Sequence, residues 1–201
     1  MCKKTGWSLF LDRDGVINEK LTGAYVKDFT EFKFKKDFLD IFPKIAPCFD
    51  YIFIVTNQQG IGKGLMTIND LEVIHNKMNE HLRALNGKID KIYFCPHLVE
   101  ENCSCRKPKP GMAHMAKKDF PAVDFKKAVL IGDSESDIEF GKSVGMKTIF
   151  INSNDDKQSA LCRDAHSRVP APNAASMLQA NADYSVTDFY KIENIIERLL
   201  K

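Results

Sequence analysis

The chain reads as a three-layer α/β fold, a parallel sheet covered by helices on both faces, and three observations predict it. Apolar runs at residues 7–11, 51–55, 89–94, 128–131 and 147–151 have the length and unbroken character of strands buried on both sides. Stretches with helical spacing separate them, as in a succession of βαβ units. Three of the runs also end abruptly in polar residues and glycine, where open α/β sheets border a ligand crevice.

The first run ends in Asp12-Arg13-Asp14-Gly15-Val16-Ile17-Asn18. Two carboxylates one residue apart at a strand's carboxyl end suit phosphoryl chemistry. Asp12 can attack phosphorus as a nucleophile. Asp14 can protonate the leaving oxygen and later activate water. Gly15 permits a tight turn and close approach to a ligand. Taken alone, the triplet fits an acidic turn capping a strand better than a catalytic pair, so its weight comes from partners further along.

Residues 19–36 mix Gly23, Tyr25 and several charges without periodicity, and read as a loop over the site with a short hairpin. A helix is expected from Asp37, with Phe38, Ile41, Phe42 and Ile45 on one face and Pro43 inside it. The second strand delivers Thr56-Asn57-Gln58-Gln59-Gly60, whose hydroxyl and amides suit phosphoryl oxygens. The same residues also simply make turns. Thr67-Ile68-Asn69-Asp70 caps a long helix that aligns Leu71, Ile74, Met78, His81, Leu82 and Leu85, and Gly87 ends it. His75 and His81 are expected at its surface or boundary.

The third strand runs into Cys95-Pro96-His97 and, across a gap of five residues, Cys103-Ser104-Cys105. Three thiols and an imidazole so close together match the ligand set of a closed tetrahedral zinc site, Cys95, His97, Cys103 and Cys105. The polar loop has no core in which to bury thiols for another reason. Cys2, Cys48 and Cys162 are scattered, and a chain with no export signal favours metal over disulfides for the cluster. Arg106 and Lys107 follow at once, held where they can neutralise phosphate. Pro110 starts a helix on which Met112, Met115 and Ala116 are expected to pack into the core.

The fourth strand ends in Gly132-Asp133-Ser134-Glu135-Ser136-Asp137. Asp133 with Asp12 and Asp14 can form the all-oxygen shell that magnesium prefers. A helix to Val144, stopped by Gly145, and a strand over 147–151 follow. Residues 152–183 turn polar and irregular, with one short helix expected at 174–179. A helix over 188–200 closes the chain.

The 201 residues fit one domain, 1–201, with the zinc loop 95–105 inserted in it. The hydrophobic fraction of 44% is ordinary for a globular protein, and a net charge of +2 with mixed signs gives no case for nucleic acid or an anionic membrane. No apolar run can span a bilayer. A cytoplasmic monomer is expected.

Taken together, Asp12-x-Asp14-Gly15, Thr56, Lys107 and Gly132-Asp133-x-x-x-Asp137 resemble, in order, the four motifs of haloacid-dehalogenase-like phosphatases. The fuller strings Asp12-Arg13-Asp14-Gly15-Val16-Ile17-Asn18, Thr56-Asn57-Gln58, Cys95-Pro96-His97 and Cys103-x-Cys105-Arg106-Lys107-Pro108 are similar to one branch. That branch contains D,D-heptose 1,7-bisphosphate phosphatases and histidinol-phosphate phosphatase domains. The resemblance covers residues 9–151. It implies a Rossmann-like sheet with a minimal cap and a magnesium-dependent phosphomonoesterase. It further implies Asp12 as nucleophile, Asp14 as acid/base, and Thr56 and Lys107 on the phosphoryl group. Magnesium would be held by Asp12, Asp133 and the Asp14 carbonyl, with Asp137 behind them. Tyr25, Asn57, Gln58, Gln59 and Arg106 would contact the substrate. Gly60-Ile61-Gly62-Lys63-Gly64 and Pro110-Gly111-Met112 look like the heptose enzymes, whereas the short His97–Cys103 spacing looks like the histidinol-phosphate enzymes. The heptose bisphosphate is favoured. A nucleic-acid 3′-phosphatase, which would need a basic groove, and a non-catalytic phospho-ligand binder are the rivals.

Overall fold

The computed structural model describes residues 5–152 and 181–200. Its elements run β1 (Ser8–Leu11), α1 (Lys36–Ile45), β2 (Tyr51–Asn57), α2 (Ile68–Ala84), β3 (Lys91–Cys95), α3 (Gly111–Asp119), β4 (Ala128–Gly132), α4 (Glu135–Ser143), β5 (Lys147–Ile151), β6 (Tyr184–Val186) and a closing helix Ile192–Leu199. The six strands form one sheet in the order β3-β2-β1-β4-β5-β6, and every pairing is parallel. This is the doubly wound order, whose direction reverses beside β1, so the crevice opens at the carboxyl ends of β1 and β4.

The strand residues alternate between two cores, as their period of two requires. Leu9, Leu11, Ile52, Ile54, Val129 and Ile131 face α1, α2 and the closing helix. Phe10, Phe53, Val55, Leu130 and Cys95 face α3 and Phe140 of α4. The sheet is therefore apolar on both faces, which is why its strands read as continuous runs. Phe53 sits fully buried in an aromatic cluster, 5.0 Å from the rings of both Phe10 and Phe120 and 6.0 Å from Tyr93.

Helix α1 carries Pro43 near its end, where little of the ladder is lost, and buries Phe38, Ile41, Phe42 and Ile45 as expected. Helix α2 starts at a reciprocal capping box between Thr67 and Asp70. The long excursion after β1 is tied at its base, Glu19 N–H donating to Lys33 O and Lys35 N–H to Ile17 O. Residues 19–35 therefore leave and return at one point beside the site.

Four expectations are corrected. His75 is buried, facing Arg13 and the Phe94 ring, while His81 and Leu85 turn outward, so the inward face of α2 lies nearer Leu71-Ile74-His75-Met78-Leu82. Met115 is half exposed, because the short α3 packs on the sheet through Met112, Ala113 and Ala116. Strand β6 was not expected: three residues are too few to show a period, and it is held by pairing to β5. The closing helix also begins later, after a 3-10 turn at Phe189–Lys191. The helix expected at 174–179 lies outside the described residues. None of the described helices is long and apolar enough to cross a membrane.

Phe53→Ala is expected to lower stability by about 3–5 kcal/mol, through lost burial and the cavity left among the rings. Denaturant titration should show a lower midpoint at unchanged slope. A shift worth less than about 1 kcal/mol would mean that the cluster repacks freely.

Candidate active site

The crevice holds a cavity of about 270 Å³ lined by Asp12, Asp14, Thr56, Asn57, Gln58, Lys107, Asp133, Ser134 and Ser136, with Lys20, Leu21, Ala24, Tyr25, Val26 and Arg106 completing its lining. Strand β1 delivers Asp12, whose N–H still donates to Ile131 O of β4 at 2.9 Å, so the nucleophile candidate is fixed by the sheet itself. Strand β2 delivers Thr56, and β4 delivers Asp133.

Lys107 is buried, and its ammonium is fully used. Nζ donates to Asp12 Oδ1 at 2.7 Å, Asp137 Oδ1 at 2.5 Å and Val55 O at 2.8 Å, matching its three protons. Burial alone would lower the Lys107 pKa, but the Asp12 and Asp137 carboxylates outweigh it and hold the lysine protonated. Asn57 clasps the Lys107 backbone from both sides: Lys107 N–H donates to Asn57 Oδ1 at 3.1 Å, and Asn57 Nδ2 to Lys107 O at 3.2 Å. Gln58 Nε2 donates to Asp14 Oδ2 at 2.8 Å and to Thr56 Oγ1 at 2.9 Å. With that lone pair occupied, the Thr56 hydroxyl has its own proton to offer. Both amides face the cavity lining yet are engaged in holding other site groups.

Asp14 rests in a shell of donors. Arg13 Nη2 lies 2.9 Å from both of its oxygens, and Asn18 Nδ2 donates to Oδ1 at 2.9 Å. Burial pushes the Asp14 pKa up, but the Arg13 charge and the donors from Asn18, Arg13 and Gln58 hold it below the usual carboxylate range. Arg13 is completely buried, with its guanidinium 5.9 Å from the Phe32 ring centre and Nη1 3.3 Å from His75 Nε2. Arginine can only donate, so His75 Nε2 is the acceptor and the imidazole is neutral. Burial and the Arg13 charge push the His75 pKa down to about 3.

One carboxylate oxygen from each of Asp12, Asp133 and Asp137 lies within 4.8 Å of the others, an arrangement that can hold a cation. Asp133 Oδ1 is buried without a hydrogen-bond partner, a costly state that a cation would relieve. Burial pushes the Asp12 carboxyl up to about 7; Lys107 opposes this, and the neighbouring Asp137, Asp133 and Asp14 charges add to it. This excess of negative charge fits a hard divalent ion. Glycines make the crowding possible. A Cβ on Gly15, whose φ is +92°, would collide with the Asp133 carboxylate, and one on Gly132 would collide with Asp137. Asp137 is also held by the Ser134 capping box, with Ser134 N–H 3.0 Å from Oδ2.

The thiols of Cys95, Cys103 and Cys105 and the imidazole of His97 converge. The sulfurs lie 3.1–3.4 Å apart, and His97 Nδ1 is 3.3 Å from Cys105 Sγ and 3.6 Å from Cys95 Sγ. These are free thiols. Bonds of about 2.3 Å to a tetrahedral ion place sulfurs roughly 3.7 Å apart, so a small expansion admits a metal. The loop passes directly to Arg106, whose Nη1 donates to His97 O at 3.2 Å. Gln59 does not line the cavity; its Nε2 donates to the Tyr25 hydroxyl at 2.8 Å, and Lys63 Nζ lies 5.3 Å from the Tyr25 ring centre.

Arg13, Asn18, Lys20 and Ser134 were given no role from sequence, and His75 was expected at the helix surface or boundary. For Arg13 a signal existed, since a cation between two acids at the end of a buried strand must find a partner. Lys20 had none, because its place depends on the path of a loop.

A doubly wound sheet with these acids and this lysine at its switch point defines a hydrolase of the haloacid-dehalogenase-like class, and the family model described as HAD-hydrolase-like matches residues 104–187. A heptose 1,7-bisphosphate 7-phosphatase of Mycobacterium bovis is 38% identical over 138 residues, 69% of this chain and 73% of that protein. One from Helicobacter pylori is 39% identical over 145 residues, 71% of this chain and 82% of that protein. The crystal structure of D,D-heptose 1,7-bisphosphate phosphatase from B. bronchiseptica, complexed with magnesium and phosphate, superposes with a TM-score of 0.77 at 24% identity. That superposition covers 96% of this chain and 98% of the other. The chain belongs to the haloacid-dehalogenase-like phosphatases, in the family of these heptose-bisphosphate enzymes.

The neutral His75 carries an acid sensitivity. Its folded pKa lies below the unfolded 6.5, so on acidification the unfolded state takes up protons first and stability falls. About 1.5 kcal/mol should be lost through this group between pH 6.5 and pH 5. Urea titrations at the two pH values should show that slope reduced in His75→Gln; an unchanged slope would assign the sensitivity elsewhere.

Proposed function

We propose that the protein is a magnesium-dependent phosphomonoesterase that removes the 7-phosphate of a D-glycero-D-manno-heptose 1,7-bisphosphate, leaving the sugar 1-phosphate. The observation that carries the reading is Asp12, buried against Lys107 and beside the Asp133 cation cluster at the end of β1. The substrate rests on relatives of that activity, matched over more than two thirds of both chains.

An Asp12 oxygen attacks phosphorus, and the bond from phosphorus to the C7 oxygen breaks. Asp14 supplies the proton that the departing oxygen takes up. Water then attacks the aspartyl-phosphate; Asp14 accepts its proton, and the phosphorus bond to Asp12 breaks to release phosphate. The donor shell favours ionised Asp14, and the arriving phosphate dianion works against that bias by like-charge repulsion. Thr56 and Lys107 hold phosphoryl oxygens, Lys107 loosening from Asp12 as negative charge moves onto them. Asp12, Asp133 and the Asp14 carbonyl would hold magnesium, with Asp137 behind them, and the bound ion would supply further positive charge to those oxygens. Asn57 and Gln58 position Lys107, Thr56 and Asp14. Arg106 engages the rest of the substrate, as does Tyr25, braced by Gln59.

Zinc on Cys95, His97, Cys103 and Cys105 stiffens the loop that presents Arg106 and Lys107. Elemental analysis of protein purified without chelators should find one zinc per chain. Binding energy in such sites is on the order of 10 kcal/mol, so stripping the metal should loosen this loop and depress activity. Zinc-free protein with full activity would refute this role.

Phosphate release should be faster, as kcat/KM, from the heptose bisphosphate than from histidinol phosphate, with both anomers assayed. Asp12→Asn should fold normally and lose turnover, an amide being a poor nucleophile. Higher kcat/KM on histidinol phosphate would replace the substrate, and near-wild-type turnover by Asp12→Asn would remove the mechanism.

A further inference from the structure

Among the described residues the cavity is lined by three cations, and the proposed chemistry accounts for two of them. Lys107 is held by Asp12, Asp137 and Val55 O, so it can serve only the transferred phosphoryl group, by exchanging its Asp12 contact for it. Arg106 is anchored to the metal-binding loop through one nitrogen, with its other donors free for a ligand. The third cation is Lys20, on the separate wall formed by the excursion after β1, beside Leu21, Ala24, Tyr25 and Val26. Its side chain is 56% exposed, and Nζ makes one ion pair, 2.8 Å from Asp133 Oδ2.

That ion pair is made with a member of the carboxylate cluster that fits a divalent cation. A cation bound at Asp133 repels the ammonium and takes over its partner. Four methylenes and an exposed stem allow Lys20 to turn away while remaining on the cavity wall. The transferred phosphoryl group must lie on the floor against Asp12. A second phosphate on the same substrate needs cations of its own, and Lys20 and Arg106 bring them to the cavity lining from different chain segments. We propose that Lys20 is a specificity residue: with Arg106 it binds the phosphate that is not transferred, and before the metal arrives its ammonium occupies Asp133. This rests on the reading of the substrate as a bisphosphate.

The test compares Lys20→Met, which keeps the stem and removes the charge, with Lys20→Arg, on the heptose 1,7-bisphosphate and on the matching heptose 7-phosphate. Lys20→Met should lose at least tenfold more kcat/KM on the bisphosphate than on the monophosphate, mainly through KM, and Lys20→Arg should recover most of it. Calorimetric titration of substrate-free protein with magnesium should show severalfold tighter binding in Lys20→Met, since the competing ammonium is gone. Equal losses on the two substrates overturn the assignment, as does unchanged or weaker magnesium affinity. If the wild type prefers the bisphosphate and Lys20→Met keeps that preference, this inference fails alone. If the wild type shows no preference, the bisphosphate reading falls with it.

Discussion

The buried ammonium of Lys107 is the interaction on which the rest of the site depends. It lies between Asp12 at the end of β1 and Asp137 in the first turn of α4, two buried carboxylates. Uncompensated charges there are very costly, and removing one member of such a pair typically costs about 3–5 kcal/mol. The lysine arrives from a loop and not from the sheet, so its placement must be secured separately. Asn57 fastens its backbone from β2, and the thiol and imidazole cluster just upstream closes the loop on itself. The loop chemistry and the crevice chemistry are thereby one mechanical unit.

The charge balance of the crevice explains its remaining features. Asp12, Asp133 and Asp137 contribute three negative charges where Lys107 and the exposed Lys20 contribute two positive ones. The shortfall appears as the raised Asp12 carboxyl and the unpartnered Asp133 oxygen. Asp14, one residue from Arg13, is treated oppositely: a buried guanidinium and two amides keep it ionised. Two acids in one tripeptide thus sit in environments that push their pKa values apart, and a cation at the Asp12, Asp133 and Asp137 cluster would draw Asp12 back toward the ionised form that a nucleophile needs. The shell behind Asp14 extends through Arg13 to His75, so α2 on one sheet face is coupled to the crevice.

Much of this was legible in the chain because it is written in local pattern. Unbroken apolar runs mark strands buried on both faces, and five of the six strands were recognised by them. The short β6 carries no period of its own and exists by pairing with β5. Carboxylates, threonine and glycine at strand ends revealed the crevice, since a parallel sheet presents all those ends on one side. The spacing of Cys95, His97, Cys103 and Cys105 revealed a cluster of thiols and imidazole because all four lie within one loop.

What the sequence determined by itself was therefore the layer architecture, the side of the sheet on which the crevice opens, and which acids, thiols and imidazole cluster there and in the loop beside it. Only the tertiary structure decided how those groups are shared. It turned Asn57 and Gln58 toward Lys107, Thr56 and Asp14, sent Gln59 to Tyr25, and buried Arg13 and His75 together. It also laid Lys20 against Asp133, 113 positions away in the chain. Such pairings depend on distances between segments that no periodicity encodes. A buried charge or amide takes whichever partner the packing leaves within reach.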